Sequence, residues 1–371
     1  MKQLLTNLLV LSPVAERGGA ERVMVDTLKY LNRNKFSAKL VFFEHGSLVE
    51  EMSRLGYDTE VIPADRLRDL GTYIRVVSKI RKLIRNDQID IVISWMPKAH
   101  LYGGIAALLE KKKSVWWQHM IPKNHWMDKL ASRIPAHGVL CPSKVTKHFQ
   151  EKLTPNRRVL LNNLGVDLQQ FGCSTNKTKS FREKMGIPED SVVFAFVGRL
   201  QRWKRPDVVI KAFNQVAKGK NTYLLIIGGT LFGLEQDYED ELKELAATGE
   251  NSKIIFMGHQ KDVGAILEAA DTVVHASLME PFGMVIIESM AVGKTVIAVG
   301  QGGPVEIITN GNDGLLYDGS ESQLVQLMDK VLNGRVSLAE IGIRARQTVE
   351  KKFTVAHMAE NFENNLASLI N

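Results

Sequence analysis

Apolar residues along this chain fall into short continuous runs, each followed by a stretch whose apolar positions recur every three or four residues. The runs at 8–12, 39–43, 89–94, 114–117 and 138–141 have the length and continuity of strands buried on both faces. Between the first two, Ala20, Val23, Met24, Leu28 and Leu31 draw one helical stripe; residues 144–152, after Pro142 and Ser143, read as another helix. The pattern lapses at 172–180, which is polar and aperiodic and reads as a linker. It restarts at 192–197 and continues through 223–227, 253–257, 272–276, 295–299 and 314–317, with helices expected at 284–292 and 324–332. Strands alternating with helical crossovers predict parallel sheets, and the interruption predicts two. The expected fold is α/β: two doubly wound, Rossmann-like domains, 1–172 and 173–354, facing across a cleft.

Composition narrows the class. With 371 residues, 44% of them hydrophobic and 24% charged, the chain can build large cores without a disulfide or metal staple. Its two cysteines, Cys141 and Cys173, exclude a disulfide framework and fit a reducing compartment. The apolar runs are strand-sized, far short of the roughly 20 residues of a membrane-spanning helix. Thr6 and Asn7 interrupt the opening apolar run, which therefore reads as a first strand rather than a signal peptide.

The charge is uneven. Residues 1–172 hold 27 Lys and Arg against 16 Asp and Glu, a net of +11, whereas the remainder holds 21 against 25, a net of −4. Arg75, Lys79, Arg81, Lys82 and Arg85 crowd one expected helix, with 75, 79 and 82 on one face and Ile74, Val77, Ile80 and Ile84 packing inward. Such a field suits nucleic acid, an anionic membrane surface or an anionic substrate; a merely solvated face is the plain alternative.

In open parallel sheets ligands bind at the carboxyl ends of strands, so chemistry is sought in the loops there. Gly18 and Gly19 lie between the first strand and first helix, where glycines admit a ligand to the backbone and the helix N-terminus attracts an anion. A tight turn explains the pair equally simply, and no third glycine completes a dinucleotide fingerprint. Arg199 and Lys204 follow the run 192–197 just ahead of Pro206, and could neutralise a diphosphate or stand as solvated cations. In Glu280-Pro281-Phe282-Gly283-Met284-Val285-Ile286-Ile287-Glu288, Gly283 marks the passage from loop to helix. Amides at Phe282–Val285 would face an anion, and a helical Glu288 among apolar neighbours needs hydrogen-bond partners such as ribose hydroxyls. His119 closes the run 114–117 and is either structural or part of a site.

These segments together resemble a retaining glycosyltransferase of family 4 with the GT-B fold. The resemblance rests on Gly18-Gly19-Ala20-Glu21, His119, Gly198-Arg199-Leu200 with Lys204, Glu280 through Glu288, Gly302-Gly303-Pro304-Val305-Glu306 and Gly314-Leu315-Leu316, in the family's order. Asn163-Leu164-Gly165-Val166-Asp167 resembles its Asn-Gly-Val-Asp with one inserted residue. It implies that Arg199 and Lys204 hold the donor diphosphate, that Glu288 binds the ribose and Glu280 the transferred sugar. Gly19 and the amides of Phe282, Gly283, Met284 and Val285 would complete the cradle, and His119 would line the reacting centre. The family usually has glycine after the lysine, where this chain has Arg205. A last helix, 355–371, would return to the first domain.

The implied reaction is transfer of a sugar from a nucleoside diphosphate sugar to a saccharide or lipid-linked saccharide. The donor expected first is UDP-glucose, then GDP-mannose, and the setting polysaccharide or glycoconjugate assembly. The expected locale is the cytoplasm, with peripheral contact at the inner membrane face and no nucleic-acid partner. No Asp-x-Asp pair ends a strand, so metal independence is expected, with no cofactor. A nucleotide-sugar 2-epimerase and a non-catalytic carbohydrate-binding protein share the architecture; an NAD-dependent dehydrogenase is disfavoured by the missing glycine.

Overall fold

The computed structural model describes residues 5–64, 69–123, 125–171, 181–230, 236–250, 253–260 and 262–370. The expected linker 172–180 and Cys173 lie outside the described residues. The chain divides into two compact units, one of residues 1–165 with 355–371 and one of residues 166–354. The boundary thus falls at 165/166 rather than the expected 172/173. Val166 explains the shift: its N–H donates to the Phe353 carbonyl and it bridges Thr354, which ties the segment to the second unit.

The first unit holds β1 (Thr6–Ser12), β2 (Phe36–Phe42), β3 (Asp58–Val61), β4 (Ile91–Trp95), β5 (Lys113–Trp117), β6 (Gly138–Cys141) and β7 (Val159–Leu161), in the spatial order β3-β2-β1-β4-β5-β6-β7. All pairs are parallel, with Leu8 opposite Ile91 across β1 and β4. Two strands escape the sequence pattern. β3 reads Asp-Thr-Glu-Val and β7 spans three residues; both are sheet edges, where a strand need not be a buried apolar run. Leu9, Leu11, Val41, Val92 and Tyr102 form one core between sheet and helices; each such fully buried side chain contributes roughly 1.5–3 kcal/mol.

Asp69 caps the helix Leu70–Asn86 by accepting from the Thr72 amide at 3.2 Å. That helix buries Val76, Val77, Ile80 and Ile84, but Ile74 is 56% exposed, against the expectation that it packs inward. Six residues from Ile80 at about 100° each, Ile74 points roughly 120° away from the buried stripe. The helix Val355–Ile370 lies on this unit: Phe362 stacks on Trp117 at 5.2 Å, and Glu363 accepts from the Asn32 amide at 2.8 Å.

The second unit holds β8 (Val192–Val197), β9 (Thr222–Ile227), β10 (Lys253–Gly258), β11 (Thr272–His275), β12 (Thr295–Val299) and β13 (Leu315–Tyr317), ordered β10-β9-β8-β11-β12-β13 and again wholly parallel. Phe194, Phe196, Phe213, Ile226 and Ile297 centre its core. Each sheet reverses its winding once, between β1 and β4 and between β8 and β11. Among the described residues no helix is long and apolar enough to cross a membrane.

Candidate active site

Loops leaving β8 and β11 diverge at the reversal of the second sheet, where a ligand can approach the carboxyl edge. At the end of β8 the Gly198 carbonyl sits where a side chain at Gly228 would have to be, so the backbones approach as only glycine permits. Arg199 follows, exposed, with no ion pair among the described residues. One tight turn, Arg202–Lys204, then brings the chain back.

Lys204 Nζ lies 2.6 Å from Glu280 Oε2 and 4.1 Å from the centre of the Trp203 ring. Arg205 takes the left-handed conformation (φ +57°), costing about 1 kcal/mol that a glycine would not incur. It nevertheless caps the helix Pro206–Val216 and donates from Nη1 to the Gly319 carbonyl at 2.9 Å.

Glu280 arrives from the loop after β11, whose last residue, His275, places Nε2 3.3 Å from the same Oε2. The Lys204, Glu280 and His275 side chains are only 16%, 12% and 4% exposed. Burial pushes the Glu280 carboxyl up, but the Lys204 ammonium and the His275 hydrogen bond outweigh it and hold the carboxyl well below the usual range. Glu280 is thus a carboxylate, and its Oε1 has no partner among the described residues.

Backbone contacts fix the loop. The Gly303 amide donates to the Glu280 carbonyl at 2.8 Å, and a Cβ at Gly302 (φ +72°) would lie 2.8 Å from that oxygen. A Cβ at Gly303 would overlap the Phe282 backbone. Phe282 is buried edge-on against Phe353, with ring centres 5.8 Å apart. Gly283 (φ +116°) caps the helix Met284–Ala291, so the amides of Gly283, Met284 and Val285 have no intrahelical acceptor. Glu288, in the second turn, is buried.

The remaining expected residues stand in the first unit. Gly18 caps the helix Gly19–Lys29, and a side chain at Gly19 would meet open space. Trp95, ending β4, donates from Nε1 to the Ala20 carbonyl at 2.9 Å and packs on His119 at 4.9 Å. His119 also stacks on Trp117 at 5.3 Å. Burial pushes its imidazole down to about 3, so it is neutral near pH 7, and its Nε2 is buried without a partner among the described residues. It can exchange a hydrogen bond but supplies no positive charge.

The fold therefore joins Lys204 to Glu280, sets Arg199 on the loop after β8 and the free amides at the start of the helix Met284–Ala291, and links Ala20, next to Gly19, to His119 through Trp95 within the first unit. His275, Trp203 and Trp95 escape the sequence reading. A histidine ending an otherwise apolar strand was the available signal for His275.

Two family models match the chain: Glycosyltransferase Family 4 over residues 17–170 and Glycosyl transferases group 1 over residues 177–348. An uncharacterized glycosyltransferase, MJ1607, of Methanocaldococcus jannaschii is 28% identical over 231 residues, 59% of this chain and 58% of that one. The capsular polysaccharide biosynthesis glycosyltransferase CapM of Staphylococcus aureus is 24% identical over 328 residues, 83% of this chain and 85% of its own. The crystal structure of Anabaena Alr3699/HepE in complex with UDP-glucose superposes with a TM-score of 0.84 at 25% identity, covering 98% of this chain and 99% of that one.

Proposed function

Because this chain belongs to the family 4 glycosyltransferases of the GT-B fold, we propose that it transfers a sugar from a nucleoside diphosphate sugar to a saccharide or lipid-linked saccharide. The observation that carries this reading is the Lys204–Glu280 pair at the reversal of the second sheet, beside a glycine-capped helix. In the transition state an oxocarbenium-like sugar forms while the diphosphate departs. Arg199, Lys204 and the free amides of residues 283–285 would stabilise the departing charge. Glu280 would accept from hydroxyls of the sugar and Glu288 from those of the ribose. Neutral His119 would offer a hydrogen bond at the reacting centre.

No divalent metal is needed where protein cations meet the leaving group. Retention follows the family, with the departing phosphate oxygen taking the acceptor's proton on the same face. UDP-glucose is the first-choice donor, supported by the HepE complex, and GDP-mannose the second. Assembly of a polysaccharide or glycoconjugate in the cytoplasm is the proposed setting, supported by the likeness to CapM.

The helix Leu70–Asn86 supports peripheral contact with an anionic membrane. Lys79 and Lys82 are exposed on the same helix as Leu70 and Ile74, which are 68% and 56% exposed. Arg81 and Arg85 instead face Glu110 at 2.7 and 3.7 Å, so fewer cations are free than the sequence count suggests. Apolar and basic side chains on one exposed helix are the composition of an interfacial dock.

The deciding experiment pairs a thermal-shift screen of UDP, GDP, UDP-glucose and GDP-mannose with product analysis. A rise in melting temperature with uridine ligands and acceptor-dependent UDP release are expected. Formation of a free 2-epimer would establish the epimerase reading instead, and no shift with any nucleotide would refute the donor site.

A further inference from the structure

We propose that His275 is a positioning residue that holds Glu280 in place and orients it when the donor claims Lys204. This rests on the donor reading above. In the ligand-free structure Lys204 Nζ and His275 Nε2 both meet one oxygen of Glu280, at 2.6 and 3.3 Å, leaving Oε1 without a partner among the described residues. A carboxylate held through one oxygen has the other available for hydroxyl donors.

The two holders differ. Lys204 is a long, rotatable side chain at the end of the single turn Arg202–Lys204, and a diphosphate carrying two or more negative charges competes with Glu280 for its ammonium. Once drawn to phosphate, that ammonium would leave Glu280 as a nearly buried charge with weakened compensation, a costly state. His275 has no such alternative. It ends β11, is 4% exposed, and its Nδ1 is buried without a partner among the described residues. The tautomer that satisfies Glu280 carries its proton on Nε2, leaving Nδ1 as a bare acceptor. The ring is therefore committed to Glu280, and strand pairing to Ala298 of β12 fixes the backbone that presents it.

The experiment compares parent, His275→Phe, His275→Gln, Glu280→Gln and the His275→Phe/Glu280→Gln double variant. UDP and UDP-glucose affinities are measured by calorimetry, acceptor-free UDP release from UDP-glucose by a coupled assay, and folding by circular dichroism. Phenylalanine fills the space without a donor, whereas glutamine can present an N–H near Nε2. Expected for His275→Phe are UDP affinity within twofold of parent, loss of most of the extra affinity of UDP-glucose over UDP, and release slowed on the order of 100-fold. His275→Gln should recover most of that loss, and the double variant should be no slower than Glu280→Gln alone.

A slow Glu280→Gln with a His275→Phe within threefold of parent overturns the His275 assignment alone. So do multiplicative losses in the double variant, or equal losses in the Phe and Gln variants. A parent that binds none of UDP, UDP-glucose, GDP and GDP-mannose, or a Glu280→Gln with parental binding and release, overturns the donor reading and this proposal with it.

Discussion

Lys204 and Glu280, 76 residues apart in the chain, meet at 2.6 Å with almost no solvent around them. Arg199, five residues earlier than the lysine, is exposed and has no such partner among the described residues. The two cations expected to hold one diphosphate thus differ sharply in what else they hold.

Alanine at either position should slow transfer by on the order of 10²–10³. Stability should separate them. Lys204→Ala strands the Glu280 carboxylate, a change that costs about 3–5 kcal/mol for a fully buried pair and less here, where both ends keep slight exposure. Arg199→Ala should change stability by no more than about 0.5 kcal/mol. Urea melts with turnover assays check both, and two variants within threefold of parental activity would remove the diphosphate assignment.

Glu288→Gln should chiefly weaken nucleotide binding, because a neutral amide is a poorer acceptor for ribose hydroxyls than a carboxylate. Glu280→Gln should instead slow transfer and leave UDP affinity nearly intact. Calorimetry with UDP that shows no change for the Glu288 variant counts against its ribose role.

Acid should destabilise the first domain before it touches Glu280. Burial pushes His119 down to about 3; burial likewise takes His100 to about 4, opposed in part by its hydrogen bond to the Ile134 carbonyl. Unfolded histidines titrate near 6.5, so below that pH the unfolded chain binds protons that the folded chain refuses. Their contribution is full above pH 6.5 and falls by up to about 1.4 kcal/mol per pH unit for each ring as pH drops towards 4. Glu280, held low, loses its contribution only as pH falls below the ordinary carboxylate value. Urea unfolding at pH 7, 6 and 5 should show a declining stability whose slope is shallower in His100→Phe. A flat profile in the parent would contradict the burial argument.

Turnover should survive EDTA, since protein cations and helix amides face the leaving group. Loss on chelation with recovery in magnesium or manganese would establish a metal requirement.

Flotation with anionic liposomes tests the helix Leu70–Asn86. The parent should float at low salt and release as the screening length shortens towards 8 Å near 0.15 M. Lys79→Glu/Lys82→Glu should remain at the bottom of the gradient, because each cation near the surface contributes about 1 kcal/mol. Equal behaviour of the two proteins would mark this face as ordinary solvated surface.

The alternation of apolar runs and helical stripes by itself determined two parallel α/β sheets, because burial on both faces imposes continuous apolar strands wherever a strand is central. It was silent on β3 and β7, whose edge positions relax that demand. The motif residues located Arg199, Lys204, Glu280 and Glu288 in loops and helix starts, since glycine and proline punctuation is local chemistry. Only the tertiary structure decided which of them touch. The β8–β11 adjacency brings Lys204 to Glu280, and the end of β11 adds His275, a contact between non-neighbouring segments that no spacing encodes. The same holds for charge. Counting cations treated Arg81 and Arg85 as free, whereas packing of their helix sets both against Glu110, and turned Ile74 outward because 100° per residue carried it off the buried stripe.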